Sequence, residues 1–265
     1  MLIHMSNALR KIGIDKRRKL FKTILDSFGG ELRTLICGGA PVRAELGYFF
    51  DSIGIYLMNG YGITECAPLI SVNRFDLDDC TTVGFVLPCL ELKFDDVTDE
   101  GIGEICVKGD NVMLGYYKRP DLTEQVLKDG WFSTGDYGML DSEGRLKITG
   151  RKKNIIVLTN GKNIYPEELE EKIGNIDYVK EVVVYAVLDE NGAEDGLCAE
   201  AFLDEDMVSD MNEPDIKARL KKDIDEALAE LPRYKQISEV VIRDTEFVKN
   251  SSNKIKRNLV GPNAK

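Results

Sequence analysis

The sequence predicts an α/β segment carrying a small antiparallel β unit, followed by a compact α+β domain. Three observations predict it. Early in the chain, short apolar runs stop at glycine turns, as buried strands do. From about residue 83 to 150, short alternating runs are separated by turns such as Asp99-Glu100-Gly101 and Asp141-Ser142-Glu143-Gly144, the pattern of antiparallel hairpins. Beyond them, helical periodicity alternates with continuous apolar runs. A chain of 265 residues is expected to hold one or two domains, and the boundary is placed between residues 152 and 153.

The elements follow in order. Leu20, Phe21, Ile24, Leu25 and Phe28 recur at helical spacing, so one amphipathic helix is expected, ended by Gly29-Gly30. Its basic residues (Arg10, Lys11, Lys16, Arg17, Arg18, Lys19, Lys22) read as a solvated face; a peripheral membrane or lipid-headgroup contact is the alternative left open. Residues 32–37 read as a buried strand opening into the turn Gly38-Gly39-Ala40-Pro41. A helix follows, then a second buried strand at 55–58 and a glycine-bounded loop from Asn59 to Glu65. Strands are expected at 90–94, 104–108 and 145–149. Lys152-Lys153-Asn154 falls between two strand-like runs. Pro166 begins a helix with acids near its positive dipole end. Residues 182–188 suit a central strand, which 197–203 would pair with. Residues 215–231 form an amphipathic helix stopped by Pro232, and 237–242 form a last strand.

Composition narrows the function. Apolar residues make up 43% and charged residues 31%, and the net charge is −11. That balance argues against nucleic acid, which asks for a basic surface. Six cysteines lie scattered with no C-x-x-C pair, and His4 is the one histidine. A zinc site and a histidine-based nucleophilic mechanism therefore have little to work with, and free thiols in a reducing compartment are expected. No run is long enough for an integral membrane segment and no signal peptide is visible, so a cytoplasmic location is expected.

Four polar segments carry chemistry. In Tyr61-Gly62-Ile63-Thr64-Glu65, the glycines let backbone approach a ligand closely, Thr64 can donate to an anionic oxygen, and Glu65 can hold Mg2+; alone, it also reads as a capping turn. In Ser133-Thr134-Gly135-Asp136, the carboxylate can accept both hydroxyls of a ribose, though a plain Gly-Asp turn is the commoner meaning. Gly150-Arg151-Lys152-Lys153-Asn154 with Asn160-Gly161-Lys162-Asn163-Ile164-Tyr165-Pro166 also reads as a basic hairpin leading into a helix. Lys254 lies in a basic stretch of the kind that is usually solvated.

Together, in this order and spacing, the four segments resemble the adenylate-forming (AMP-binding) superfamily from about residue 32 to 256. Trp131-Phe132-Ser133-Thr134-Gly135-Asp136 through Lys147-Ile148-Thr149-Gly150-Arg151-Lys152-Lys153 is most similar to its long-chain fatty acid–CoA ligase branch. The resemblance implies that residues 1–152 are a remnant of the large N-terminal AMP-binding domain, with a β-barrel-like subdomain near 83–150, and that 153–265 form the small mobile C-terminal domain. It implies an acid–CoA ligase: a carboxylate attacks the α-phosphate of ATP, releasing pyrophosphate, and the thiol of CoA then displaces AMP. Gly39, Ala40 and Pro41 would line the adenine and acyl pocket, with Tyr61 on adenine and Gly62 beside it. Thr64 would contact phosphate, Glu65 would help hold Mg2+, and Asp136 would bind the ribose hydroxyls with Arg151 nearby. Lys153 would mark the hinge, Gly161 the pantetheine channel, and Lys254 the lysine that bridges acid and ATP.

Two departures stand out. Val248 and Asn253 occupy the positions where proline and glycine are expected around Lys254, and Asn tolerates a left-handed backbone better than most residues. The Ser/Thr/Gly-rich loop that wraps the β- and γ-phosphates has no counterpart before Leu32. The chain is therefore expected to be a truncated piece with no or negligible adenylation of its own. A non-catalytic adenylate-binding module, and a ligase loading a carrier protein in trans, are the alternatives.

Overall fold

The computed structural model describes residues 2–40, 42–74, 81–188, 194–210 and 212–261, and it resolves into two compact units, Met1–Ile148 and Thr149–Lys265.

The first unit opens with α1 (Leu2–Lys11), α2 (Arg17–Leu20) and α3 (Lys22–Ser27). The single helix expected here is broken at Phe21, and Arg17, Phe21 and Leu25 are the residues it buries. Phe21 and Leu25 enter the core with Ile53 and Ile55. Arg17, 5% exposed, grips both oxygens of Asp15 and also Asp51. Arg18 donates to the carbonyls of Gly30, Leu32 and Gly54. These two arginines are structural clamps, contrary to the solvated face read from the sequence. The helical stretch does end where Gly29 and Gly30 take positive φ.

β1 (Thr34–Gly38), α4 (Ala44–Ile53), β2 (Tyr56–Gly62), β3 (Leu69–Val72) and β4 (Phe85–Val86) complete this layer. The sheet order is β1-β2-β3-β4, with β1 parallel to β2 and the other pairs antiparallel. β1 was expected to be buried, but Ile36 is 74% exposed, because β1 is an edge strand and α4 packs on β2. The expected loop 59–65 is mostly strand, since β2 runs on through Gly62 to pair with β3.

The antiparallel unit follows: β5 (Leu90–Asp95), β6 (Gly103–Gly109), α5 (Pro120–Val126), β7 (Leu127–Lys128), β8 (Trp131–Leu140) and β9 (Leu146–Arg151). The order is β5-β6-β8-β7, with β9 on β8. Ile105, Val107, Phe132 and Leu146 fill its core together with Cys66 and Ile70. Ser133–Asp136, read from sequence as a loop, lies inside β8. β9 crosses from the first unit into the second.

The second unit contains β10 (Ile156–Val157), β11 (Asn163–Ile164), α6 (Pro166–Ile173), β12 (Val179–Leu188), β13 (Glu194–Leu203), α7 (Glu205–Val208), α8 (Glu213–Ala227) and β14 (Glu239–Arg243). β13 is the central strand, antiparallel to β12 and parallel to β14. The continuous apolar run of β12 reflects cover on both faces, not a central place. Val182 and Val184 join the core with Leu169, Leu220 and Ile224, while Val183 packs with Phe247 and Val260 on the other side. α8 ends before Pro232, where the Gln236 amide donates to the carbonyls of Leu228 and Leu231 and so satisfies its last turn.

Candidate active site

The first unit gathers part of the site at the carboxyl ends of its parallel strands, where α/β sheets bind ligands. Gly38 pairs with Gly60, so Gly39 and Ala40 leave β1 beside Tyr61; both are exposed. Pro41 lies outside the described residues. Gly62 has an internal reason to be glycine: a Cβ there would stand 2.1 Å from the carbonyl oxygen of Pro68. The close approach it permits is therefore to the chain's own backbone. That approach lets Ile63 donate to Pro68 O at 2.7 Å and turns the chain into the 3-10 helix Thr64–Cys66.

Thr64 is exposed and Glu65 half-buried on this turn. A segment that the motif reading missed fastens it from behind. Asn111 Nδ2 donates to Cys66 O and Leu69 O, each at 2.9 Å. Met113 N–H donates to Glu65 O at 2.8 Å, and Tyr116 OH donates to Glu65 Oε1 at 2.9 Å. The aromatic pair behind a glycine, Gly115-Tyr116-Tyr117, was the signal that could have flagged this segment. Glu65 Oε2 has no partner among the described residues. One carboxylate oxygen held and one open fits Mg2+, which takes few protein ligands and completes its shell with phosphate and water.

Asp136 reaches the same region through a bulge. Cys106 of β6 pairs with Ser133 and Glu104 pairs with Tyr137, so three residues of β8 oppose Ile105 alone. Thr134 Oγ1 donates to Ile105 O at 2.8 Å and accepts Asp136 N–H at 3.1 Å, and Gly135 sits at φ +71°. A bulge re-aims side chains. Here Asp136, 3% exposed, receives Tyr61 OH on Oδ2 at 2.6 Å. The resemblance gave Tyr61 and Asp136 separate tasks; the structure joins them.

The other positions lie in the second unit on separate turns. Arg151 ends β9, and Lys153 is exposed in the 3-10 turn Lys152–Asn154. Gly161, at φ +77°, closes the β10–β11 turn, and a Cβ there would meet nothing within 4 Å. The backbone alone thus calls for glycine. Lys254 lies on a tight hairpin whose arms bridge at Lys249 and Ile255. Asn250 N–H donates to Lys254 O at 2.9 Å, and Asn253 takes φ +59°, so the asparagine adopts the left-handed conformation expected of the glycine it replaces. No side-chain contact joins Lys153 to Lys254.

Among the described residues no group of three His, Cys, Asp or Glu could hold a metal, and no helix is long and apolar enough to cross a membrane. Burial pushes the thiols of Cys66 and Cys106 up to about 11, leaving them protonated and unreactive at neutral pH. Five cysteines are free; Cys80 lies outside the described residues.

Comparison with known proteins identifies the family. Residues 3–117 match the AMP-binding enzyme family and residues 153–261 the AMP-binding enzyme C-terminal domain. The chain belongs to the AMP-binding, adenylate-forming enzymes. Within them it is similar to the long-chain-fatty-acid–CoA ligase of Escherichia coli O6:H1, 43% identical over 157 residues, which is 57% of this chain and 28% of that relative. Long chain acyl-CoA synthetase 1 of Arabidopsis thaliana is 38% identical over 62% of this chain and 26% of its own length. Among solved structures, the o-succinylbenzoate coenzyme A synthetase of Bacillus subtilis, in complex with ATP and magnesium ion, superposes with a TM-score of 0.71 at 28% identity. That match covers 89% of this chain and 49% of the synthetase.

Proposed function

We propose that this chain supplies the ribose, magnesium, hinge, CoA-channel and lysine positions of an AMP-forming acid–CoA ligase whose acid is a fatty acid. The observation that carries the reading is the Tyr61–Asp136 hydrogen bond beside the Thr64–Glu65 turn. It joins two motifs 75 residues apart. Asp136 has an acceptor-only carboxylate suited to a ribose diol, and Tyr61 OH is the donor a ribose hydroxyl would replace. Thr64 donates to the phosphate. Mg2+ bound at Glu65 would neutralise phosphate charge. Lys254 is the cation that two anions need when the acid oxygen attacks the α-phosphate and pyrophosphate leaves. The CoA sulfur then attacks the acyl carbon, AMP departs, and the thiol proton passes to solvent. Gly161 leaves the pantetheine path open, and Lys153 marks the hinge between the two half-reactions. The fatty-acid assignment draws on the long-chain ligases similar to this chain.

The phosphate-wrapping loop has no counterpart in the sequence, so the chain alone is proposed to bind adenylate without forming it. Calorimetry should detect AMP binding, and Asp136→Ala should weaken it at least about tenfold, the worth of a charge-assisted hydrogen bond. Acid-dependent ATP–pyrophosphate exchange should be absent. Absence of AMP binding sinks the adenylate reading, and robust exchange sinks the proposed inactivity. The alternative of a module that never serves catalysis leans on Val248 in place of proline; the left-handed turn at Asn253 weighs against it.

A further inference from the structure

The Lys254 hairpin is fastened at both arms by carboxylates of the second unit. On the incoming arm, Glu181 of β12 accepts Phe247 N–H on Oε2 at 2.9 Å and pairs with Lys249. On the outgoing arm, Arg257 pairs with Glu170 of α6, three residues past Lys254. Glu170 also accepts Val184 N–H on Oε1 at 2.7 Å, and Arg257 Nη1 donates to Val184 O at 3.4 Å. Helix α6, strand β12 and the end of the hairpin thus meet at one carboxylate.

Between the arms the hairpin closes on itself. Asn250 Oδ1 accepts the N–H groups of Ser252 and Lys254, each at 2.9 Å, and Lys256 N–H donates to Val248 O at 2.8 Å. The Lys254 side chain is exposed, and its Nζ has no partner among the described residues. Nothing local therefore fixes where the ammonium points, and its position is inherited from the two anchored arms.

The Glu170–Arg257 pair, 15% and 26% exposed, is expected to add little net stability. Burial pushes Glu170 up to about 7, against the pull of Arg257 and the Val184 N–H, so the charged form is disfavoured where it sits. Buried ion pairs often cost stability relative to apolar packing, and their best-attested use is to fix one arrangement among several.

We propose that Glu170 and Arg257 are positioning residues that hold the Lys254 hairpin in the register its cation needs for adenylate contact. The proposal rests on the adenylate reading of Lys254. It adds that Arg257 acts through Lys254 and touches no ligand itself.

The test uses the whole chain in four versions: wild type, Lys254→Ala, Arg257→Ala and the double variant, with Arg257→Lys as the conservative control. Amide hydrogen exchange is followed across the chain. Affinity for a non-hydrolysable acyl-sulfamoyl adenosine is measured by calorimetry. In Arg257→Ala, exchange at 250–256 should rise at least about tenfold while the β13 amides stay protected, the signature of local opening. Lys254→Ala and Arg257→Ala should each weaken the analogue at least about fivefold, and the double variant should lose little beyond either single, as coupled residues do. Arg257→Lys should recover part of both losses.

Unchanged exchange at 250–256 in Arg257→Ala overturns the proposal, as do strictly additive affinity losses, which would give Arg257 a role of its own. If β13 also loses protection in Arg257→Ala, Arg257→Lys takes its place, and unchanged exchange and affinity there overturn the proposal. Full analogue affinity in Lys254→Ala overturns the adenylate reading of that lysine. The exchange data then still report whether Arg257 holds the hairpin, so the two failures are told apart.

Discussion

The two units solve the problem of a core differently. The second gathers most of its apolar side chains in one large core, with Leu169, Ile173, Leu197, Leu220, Ile224 and Leu228 fully buried, and keeps a small cluster of Val183, Phe247 and Val260 on the other face of the sheet. The first divides its apolar residues between a cluster under α4 and another inside the antiparallel sheet. It leaves Ile24, Ile36, Tyr48 and Phe49 exposed around β1, α3 and α4, and Leu114 and Tyr117 exposed in the segment behind Glu65. What stands in for hydrocarbon in the first layer is charge: Arg17 between Asp15 and Asp51, with Arg10 on Asp51 as well. The second unit uses ion pairs too, with Lys235, 5% exposed, on Glu168 at 2.7 Å, so the contrast lies in how each unit divides its apolar residues.

The largest expected effects test that contrast. Leu169→Ala leaves a cavity and should cost the second unit about 2–5 kcal/mol. Arg17→Ala removes the buried guanidinium from Asp15, which is 55% exposed, and from Asp51, which keeps Arg10, and should cost the first unit about 1–3 kcal/mol. Ile36→Ser should move the first unit by no more than about 0.5 kcal/mol. Trp131, the one tryptophan, lies in β8 of the first unit, so its fluorescence in urea reports that unit alone, while far-UV circular dichroism reports both. An Ile36→Ser loss as large as that of Leu169→Ala would break the comparison, because the face around β1 would then be covered in solution.

Much of this was legible in the sequence, and the parts that were not share a cause. Strands at 90–94 and 104–108, the helix beginning at Pro166 and the left-handed residue before Lys254 all follow from local pattern, where residue type and neighbours decide conformation. Contacts between distant segments do not. Tyr61 meets Asp136 because β6 and β8 pair around a bulge, and a bulge leaves no mark in a run such as Ser133-Thr134-Gly135-Asp136. Tyr116 meets Glu65 across 51 positions. Arg17 was misread partly for the same reason: a basic residue on a short helix looks solvated until Asp51 arrives from α4 to join its sequence neighbour Asp15.

Acid should move the two units in opposite directions. In the first, the Arg17 guanidinium holds Asp15 at about 2, below its usual 3.8. The stabilisation is present above 3.8 and is lost as pH falls through 2. In the second, burial raises Glu170 from its usual 4.5 to about 7. Below 4.5 the group is protonated whether folded or unfolded, so it costs nothing. As pH rises from 4.5 to 7 the unfolded chain ionises first, and stability falls by about 3 kcal/mol before levelling off. Urea midpoints between pH 4 and 8 should therefore drop for the second unit, and Glu170→Gln should flatten that drop. An equal drop in Glu170→Gln would assign the effect to another group.

The smallest effect concerns the turn before Lys254. Asn253 sits at φ +59°, in the region where an ordinary L-residue pays for the contact between Cβ and the following carbonyl. Asn253→Ala should cost the second unit about 1 kcal/mol. Asn253→Gly, free of that contact, should change it by less than about 0.5 kcal/mol, the relief being offset by the wider freedom of glycine in the unfolded chain. Thermal melts of the two variants against wild type read this difference directly. Identical melts for alanine and glycine would mean that the turn is not left-handed in solution. Local asparagine chemistry would then no longer explain how the hairpin keeps its shape without the expected glycine, and the anchors at Glu170 and Glu181 would have to carry that shape alone.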